Sequence, residues 1–192
     1  MEKQNKQHAL VLELSGPMRK EAEVAMKILS DALGIVYLQS RSPCPHISLV
    51  SELTIFDIRQ FLKDLRFLVI GLEKFILRGN GLGIFVRENP VIHIRWKLNQ
   101  PLKNLREKIL SVLHNSKKNG HVSSYDKDLD WLPKTTLAFK DTSYKSLSET
   151  IESINDLNFL EIMEVNSLSL YEYSSIEGEK CLHTLFFKSA VG

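Results

Sequence analysis

A chain of 192 residues with 43% hydrophobic and 25% charged content carries enough apolar material for one well-filled core or two small lobes, which excludes a disordered chain. Its formal net charge of +2 excludes a general polyanion binder, so any contact with nucleic acid must be local. Cys44 and Cys181 stand at no metal or redox spacing, and no apolar run reaches the roughly eighteen residues of a membrane span. The expectation is a monomer in a reducing cytoplasmic or nuclear compartment, with no membrane, no metal and no cofactor.

Residues 1–7 read as a polar tail, and 8–192 as one bilobal domain. His8 to Ser15 holds Ala-Leu-Val-Leu-Glu-Leu, a largely buried strand. Gly16-Pro17 breaks it, and Pro17 suits a helix start. Ala22, Val24, Ala25, Ile28, Leu29 and Leu33 then recur at helical spacing up to a stop at Gly34. Ile35 to Leu38 reads as a short strand, followed by a loop that delivers the strand Ile47 to Val50. Thr54 with Asp57 three positions on fits a capping pair, leading into a helix with Ile55, Ile58, Phe61, Leu62 and Leu65 facing inward. Phe67 to Ile76 and Gly81 to Val86 read as strands joined by a hairpin-type turn at Arg78-Gly-Asn-Gly81. Gly79-x-Gly81-x-Gly83 is a turn signal without the following helix that a dinucleotide loop needs.

Val91 to Leu98 is the next strand, and Asn99-Gln100-Pro101 opens a helix through Leu102, Leu105, Ile109 and Leu113. His114 to Asp130 is a long polar connection. A strand over Thr135 to Phe139 follows, then a helix with Leu147, Ile151 and Ile154 that Ser143 can cap. Glu164 to Tyr171 and Lys180 to Lys188 close the chain as two strands.

One short pattern occurs twice. Pro45-His46-Ile47-Ser48-Leu49 and Pro133-Lys134-Thr135-Thr136-Leu137 each place a basic residue two positions before a small hydroxyl, 88 positions apart. On strands, the alternation of side chains sends His46 and Ser48 to one face, and likewise Lys134 and Thr136. The order strand, helix, motif strand, helix is also written twice. These features predict an α+β fold of two pseudo-symmetric lobes around a central cleft, each an antiparallel sheet backed by helices. Two motif strands side by side can grip a phosphate between two basic groups and two hydroxyls.

In these two motifs the chain resembles the two-histidine (2H) phosphoesterase superfamily, and most of all its RNA 2′-5′ ligase and cyclic phosphodiesterase branch. That family carries two His-x-Thr/Ser-x motifs lining a cleft between pseudo-symmetric lobes. Pro45 to Val50 fits the first. Trp131 to Asp141 fits the second, except that Lys134 stands where the family has histidine. The resemblance implies metal-independent chemistry on an RNA or nucleotide bearing a 2′,3′-cyclic phosphate or a 2′-5′ linkage. It implies His46 as acid–base, with Ser48 and Thr136 on the non-bridging oxygens. A free lysine titrates near pH 10.4, so Lys134 is expected to act as a phosphate-binding cation, and as a proton donor only if burial and nearby cations lower its pKa.

His93 and Arg95 share one face of their strand and are expected beside Lys134 as further substrate contacts. Trp131 is a candidate for stacking on a base, against a role packing beside the motif. His183, His114 and His121 carry no assigned function. Three functions stay open: a phosphoesterase, running in the hydrolytic or the ligating direction; a nucleotide binder that has lost the proton relay; and an interaction protein with a vestigial cleft.

Overall fold

The computed structural model describes residues 7–42, 44–115, 120–121, 131–174 and 178–188. In chain order the elements are β1 (Gln7–Glu13), α1 (Gly16–Leu33), α2 (Tyr37–Arg41), β2 (His46–Ile55), α3 (Ile58–Ile70), β3 (Phe75–Phe85), β4 (Val91–Trp96), α4 (Gln100–Asn115), β5 (Gly120–His121), β6 (Lys134–Ala138), α5 (Leu147–Ser153), β7 (Ile162–Val165), β8 (Ser167–Ser174) and β9 (Gly178–Phe186). They build two antiparallel sheets, ordered β5-β2-β1-β8-β9 and β6-β4-β3-β7. The first contains the His46 motif strand and the second the Lys134 motif strand.

Local chemistry accounts for the ends of several helices. Pro17 opens the first turn of α1, and Gly34 ends it in the left-handed conformation at φ 67°. There its N–H donates to the Ser30 carbonyl at 3.0 Å while Ile35 N–H reaches back to Leu29. The Asp57 carboxylate caps α3 by accepting from the amides of Arg59 and Gln60, and Asn99 caps α4 by accepting from Leu102 N–H. Thr54 lies within β2 and is not part of the cap.

Burial follows the period of each element. β1 is buried on both faces, as its apolar run predicts: Leu10 and Leu12 enter the main core, while Ala9 and Val11 join Tyr171 in a second, smaller cluster. β2 alternates buried Ile47 and Leu49 with half-buried His46 and Ser48. β6 repeats this with buried Thr135 and Leu137 against half-buried Lys134 and Thr136. One core cluster takes side chains from both sheets, among them Leu10, Leu49, Ile94 and Leu137.

The helices cross over between sheets. α1 leaves β1 and packs on β6 and β7 of the second sheet. α4 leaves β4 and packs on α3, and its Arg106 donates from Nε to the Leu49 carbonyl of β2 at 3.2 Å.

Several sequence expectations are corrected. Ile35 to Leu38 is not a strand: α2 begins at Tyr37 and its N-terminus is capped from the other lobe, where Asp141 accepts from the amides of Val36 and Tyr37, both at 2.7 Å. Phe67 to Ile70 completes α3, so no strand begins before Phe75. Arg78 to Gly81 is not a hairpin but lies inside β3, where a Cβ on Gly79 would sit 2.2 Å from the Phe159 carbonyl oxygen and 2.5 Å from Met18 Cε. The glycine there admits α1 and the Phe159 backbone to the sheet. Glu164 to Tyr171 is two strands, because the chain changes sheets at Asn166. The helix near Ser143 starts at Leu147 after Ser146, whose amide donates to the Ser143 hydroxyl.

Candidate active site

β2 and β6 belong to different sheets but pack against each other. His46 and Ser48 from one, with Lys134 and Thr136 from the other, line a single cavity of about 270 Å³. The alternation on each strand aims all four side chains into it. Tyr171, Tyr173 and Glu179 complete the wall on the first sheet, and α2 adds Leu38.

A carbonyl oxygen only accepts, so His46 Nδ1, 3.0 Å from the Cys44 carbonyl, carries the proton and Nε2 is left as the basic nitrogen. The imidazole packs edge-on against Tyr171 with ring centroids 5.4 Å apart. Tyr171 is buried, and burial together with nearby Glu13 pushes its phenol well above the usual range. Burial likewise pushes the Cys44 thiol up to about 11. Both groups are neutral near pH 7.

Across the cavity Lys134 donates from Nζ to Thr136 Oγ1 at 2.6 Å. Burial pushes this lysine down to about 8, with the Arg87 guanidinium acting in the same direction and Glu179 opposing both. The ammonium therefore persists at neutral pH but titrates far below an ordinary lysine.

His93 and Arg95 take up register opposite Thr136 and Lys134 on the neighbouring strand, hence on the same face of the second sheet. Neither lines the cavity. His93 is buried, with its Nδ1 on the Val91 carbonyl and its ring stacked on Phe85 at 4.2 Å. Burial lowers its pKa, with Lys134 and Arg95 adding to the effect against the Val91 hydrogen bond. Gly83 makes room for both: a Cβ there would meet His93 Nε2 at 2.5 Å and Arg95 Cδ at 2.8 Å. Arg95 is exposed.

Trp131 also stands outside the cavity. It packs on the main core, with the Arg106 guanidinium 4.8 Å from its ring centre. His183 lies 3.2 Å from Arg66, and His114 bonds the Leu110 carbonyl. The side chain of His121 and residues 122–130 lie outside the described residues.

Tyr171, Tyr173 and Glu179 are cavity residues not singled out from sequence. Tyr171 and Tyr173 alternate on one strand, a signal that could have marked a shared face. Glu179 has no such signal, because only the pairing of β9 with β8, opposite Tyr173, brings it to the cavity.

Two sheets, helices crossing between them and two motif strands meeting at one cavity make a LigT-like fold. By sequence alone, no protein-family model and no curated protein matches the chain. In structure it is similar to TT0787 of Thermus thermophilus, with a TM-score of 0.67 at 14% identity, over 96% of this chain and 99% of that one. It is also similar to Escherichia coli LigT complexed with 3′-AMP, with a TM-score of 0.60 at 15% identity, over 95% of this chain and 98% of that one. A third solved structure, described as a phosphoesterase, aligns with a TM-score of 0.58 at 15% identity, over 96% of this chain and 99% of that one.

Proposed function

We propose that the protein is a 2H-type phosphoesterase acting on a 2′,3′-cyclic phosphate or a 2′-5′-linked ribonucleotide. The observation that carries this reading is the convergence of His46, Ser48, Lys134 and Thr136 on one cavity. LigT in complex with 3′-AMP and with phosphate supports a phosphorylated nucleotide as ligand. In the hydrolytic direction His46 Nε2, its ring oriented by the Nδ1–H bond to the Cys44 carbonyl, takes the proton of the attacking water as that oxygen bonds phosphorus; the bond from phosphorus to the leaving ribose oxygen breaks, and that oxygen takes a proton from solvent. The Lys134 ammonium binds a non-bridging oxygen and offsets the charge that develops on the phosphate. Ser48 and Thr136 supply hydroxyl donors to the remaining oxygens. Arg95 extends positive charge along the same sheet face toward a second phosphate, with His93 beside it as a buried neutral ring, and Trp131 supports the second motif from outside.

A second reading follows from Lys134 itself. A lysine in the place of the second histidine, pushed down to about 8, still holds its proton at neutral pH and can serve as a fixed charge alone, and a nucleotide binder without turnover fits that state.

Incubation of the purified protein with 2′,3′-cyclic nucleotides and 2′-5′ dinucleotides, beside His46→Ala, decides between them. Turnover that falls by about 10²–10⁴ in the variant supports the enzyme. Salt-sensitive binding without turnover in either protein supports the binder. Lys134→His adds a complementary arm, in which a rate increase identifies a scaffold limited by its second proton-transfer group.

A further inference from the structure

Glu179 lines the cavity that holds His46 and Lys134. Its Oε2 is buried with no hydrogen-bond partner among the described residues, 3.9 Å from His46 Nδ1. A buried carboxylate oxygen without a donor is costly, so a rearrangement that brings a donor to it is favoured. The Nδ1–H of His46 is a donor within reach of a small movement, at 3.9 Å. In the neutral ring that hydrogen is held by the Cys44 carbonyl at 3.0 Å. Once Nε2 takes up a proton the ring is a cation, and a carboxylate is then the stronger acceptor. On its other side Glu179 favours the charged form of Lys134 against burial and Arg87.

We propose that Glu179 is the positioning carboxylate of this centre, closing onto His46 Nδ1–H when the ring becomes cationic, in the cavity it shares with the Lys134 ammonium. The inference rests on the phosphoesterase reading for its chemistry. The substrate water gives its proton to Nε2, Nδ1 keeps its own, and Glu179 takes none. Its role is therefore orientation and charge balance, not proton transfer.

The other groups around the pair do not substitute for it. Near His46 stand Glu13, its register partner on β1, and Cys44 and Tyr171, both kept neutral by burial. Glu13 accepts from the Ser169 hydroxyl at 2.8 Å. Near Lys134 stand Arg87, which disfavours its charge, and Arg95 and His93 on the neighbouring strand. Glu179 is the anion that acts in its favour.

The test uses the full chain with Glu179→Gln, Glu179→Ser and Glu179→Asp, each checked for folding by circular dichroism. Inorganic sulfate, whose charge is constant from pH 6 to 9 and which mimics phosphate, is titrated calorimetrically across that range. Without Glu179 the lysine gives up its proton more readily, so the weakening of sulfate binding begins at lower pH in the Gln and Ser variants. The ratio of affinities at pH 6 and pH 8 is expected to grow by about tenfold over wild type, and Glu179→Asp to restore most of the difference. In ¹⁵N-labelled protein at pH 6 with saturating sulfate, the His46 Nδ1–H resonance, identified by its loss in His46→Ala, is expected to move upfield in Glu179→Gln. A pH dependence identical to wild type, or an unmoved Nδ1–H resonance, overturns the inference. Both expected shifts without turnover on any nucleotide leave Glu179 in this role at an anion site and overturn only the phosphoesterase reading. A wild-type protein that binds no sulfate at any pH overturns both.

Discussion

Position 134 decides what the cavity can do at a given pH. The Lys134 ammonium is held by Thr136 Oγ1 at 2.6 Å, and its pKa is pushed down to about 8, chiefly by burial. Lysine binds an anion only when charged, so phosphate affinity and turnover are expected to fall as pH rises through about 8. A pH–affinity profile with inorganic phosphate checks this, and Lys134→Gln is expected to bind phosphate about tenfold or more weakly at pH 7. Stability moves the other way. In the unfolded chain the lysine keeps its proton to about 10.5, so between about 8 and 10.5 the unfolded state binds more protons and this group makes the fold more stable as pH rises. Thermal melts of wild type against Lys134→Gln over that window should show this rise in the wild type and not in the variant. The position of Lys134 was legible because two residues of alternation fix a face. Its altered titration was not, because burial and Arg87 arrive from elsewhere in the fold.

Among the elements, α2 was read wrongly and matters most to the site. Its five residues sit between Gly34 and the first motif strand, too short a stretch for helical periodicity to show. What stabilises it is remote: Asp141 caps its first amides, and Lys140 donates to the Tyr37 hydroxyl at 2.9 Å while lying over that ring. Both residues follow β6, so the second lobe fastens a helix that walls the cavity with Leu38. Asp141→Ala is expected to cost about 1 kcal/mol, lowering the melting temperature by about 2–4 °C, with a measurable loss of affinity for phosphate. β3 shows the opposite failure. Gly79 and Gly81 imitate a hairpin in sequence, yet Gly79 is small because Met18 and Phe159 press on it, a contact between segments far apart in the chain.

At the scale of the whole molecule the two lobes are interlocked. α1 packs on the sheet that does not contain β1, Arg106 of α4 reaches β2, and one core takes residues from both sheets. We propose that 8–192 folds as one unit on this account. A fragment of residues 1–90 leaves α1 without β6 and β7 and is expected to give a poorly dispersed NMR spectrum, where the full chain gives a dispersed one. Independent folding of that fragment would contradict the interlocked core.

The α+β class, the doubled strand–helix order and the face on which His46, Ser48, Lys134 and Thr136 lie are written in the order of the residues, because alternation and helical periodicity are properties of neighbours along the chain. Only the tertiary structure decided that α2 is a helix, that β3 is continuous, that His93 and Trp131 stand outside the cavity and that Glu179 stands within it. Each of those depends on strand register or on packing between segments tens of residues apart, and such contacts leave no local pattern to read.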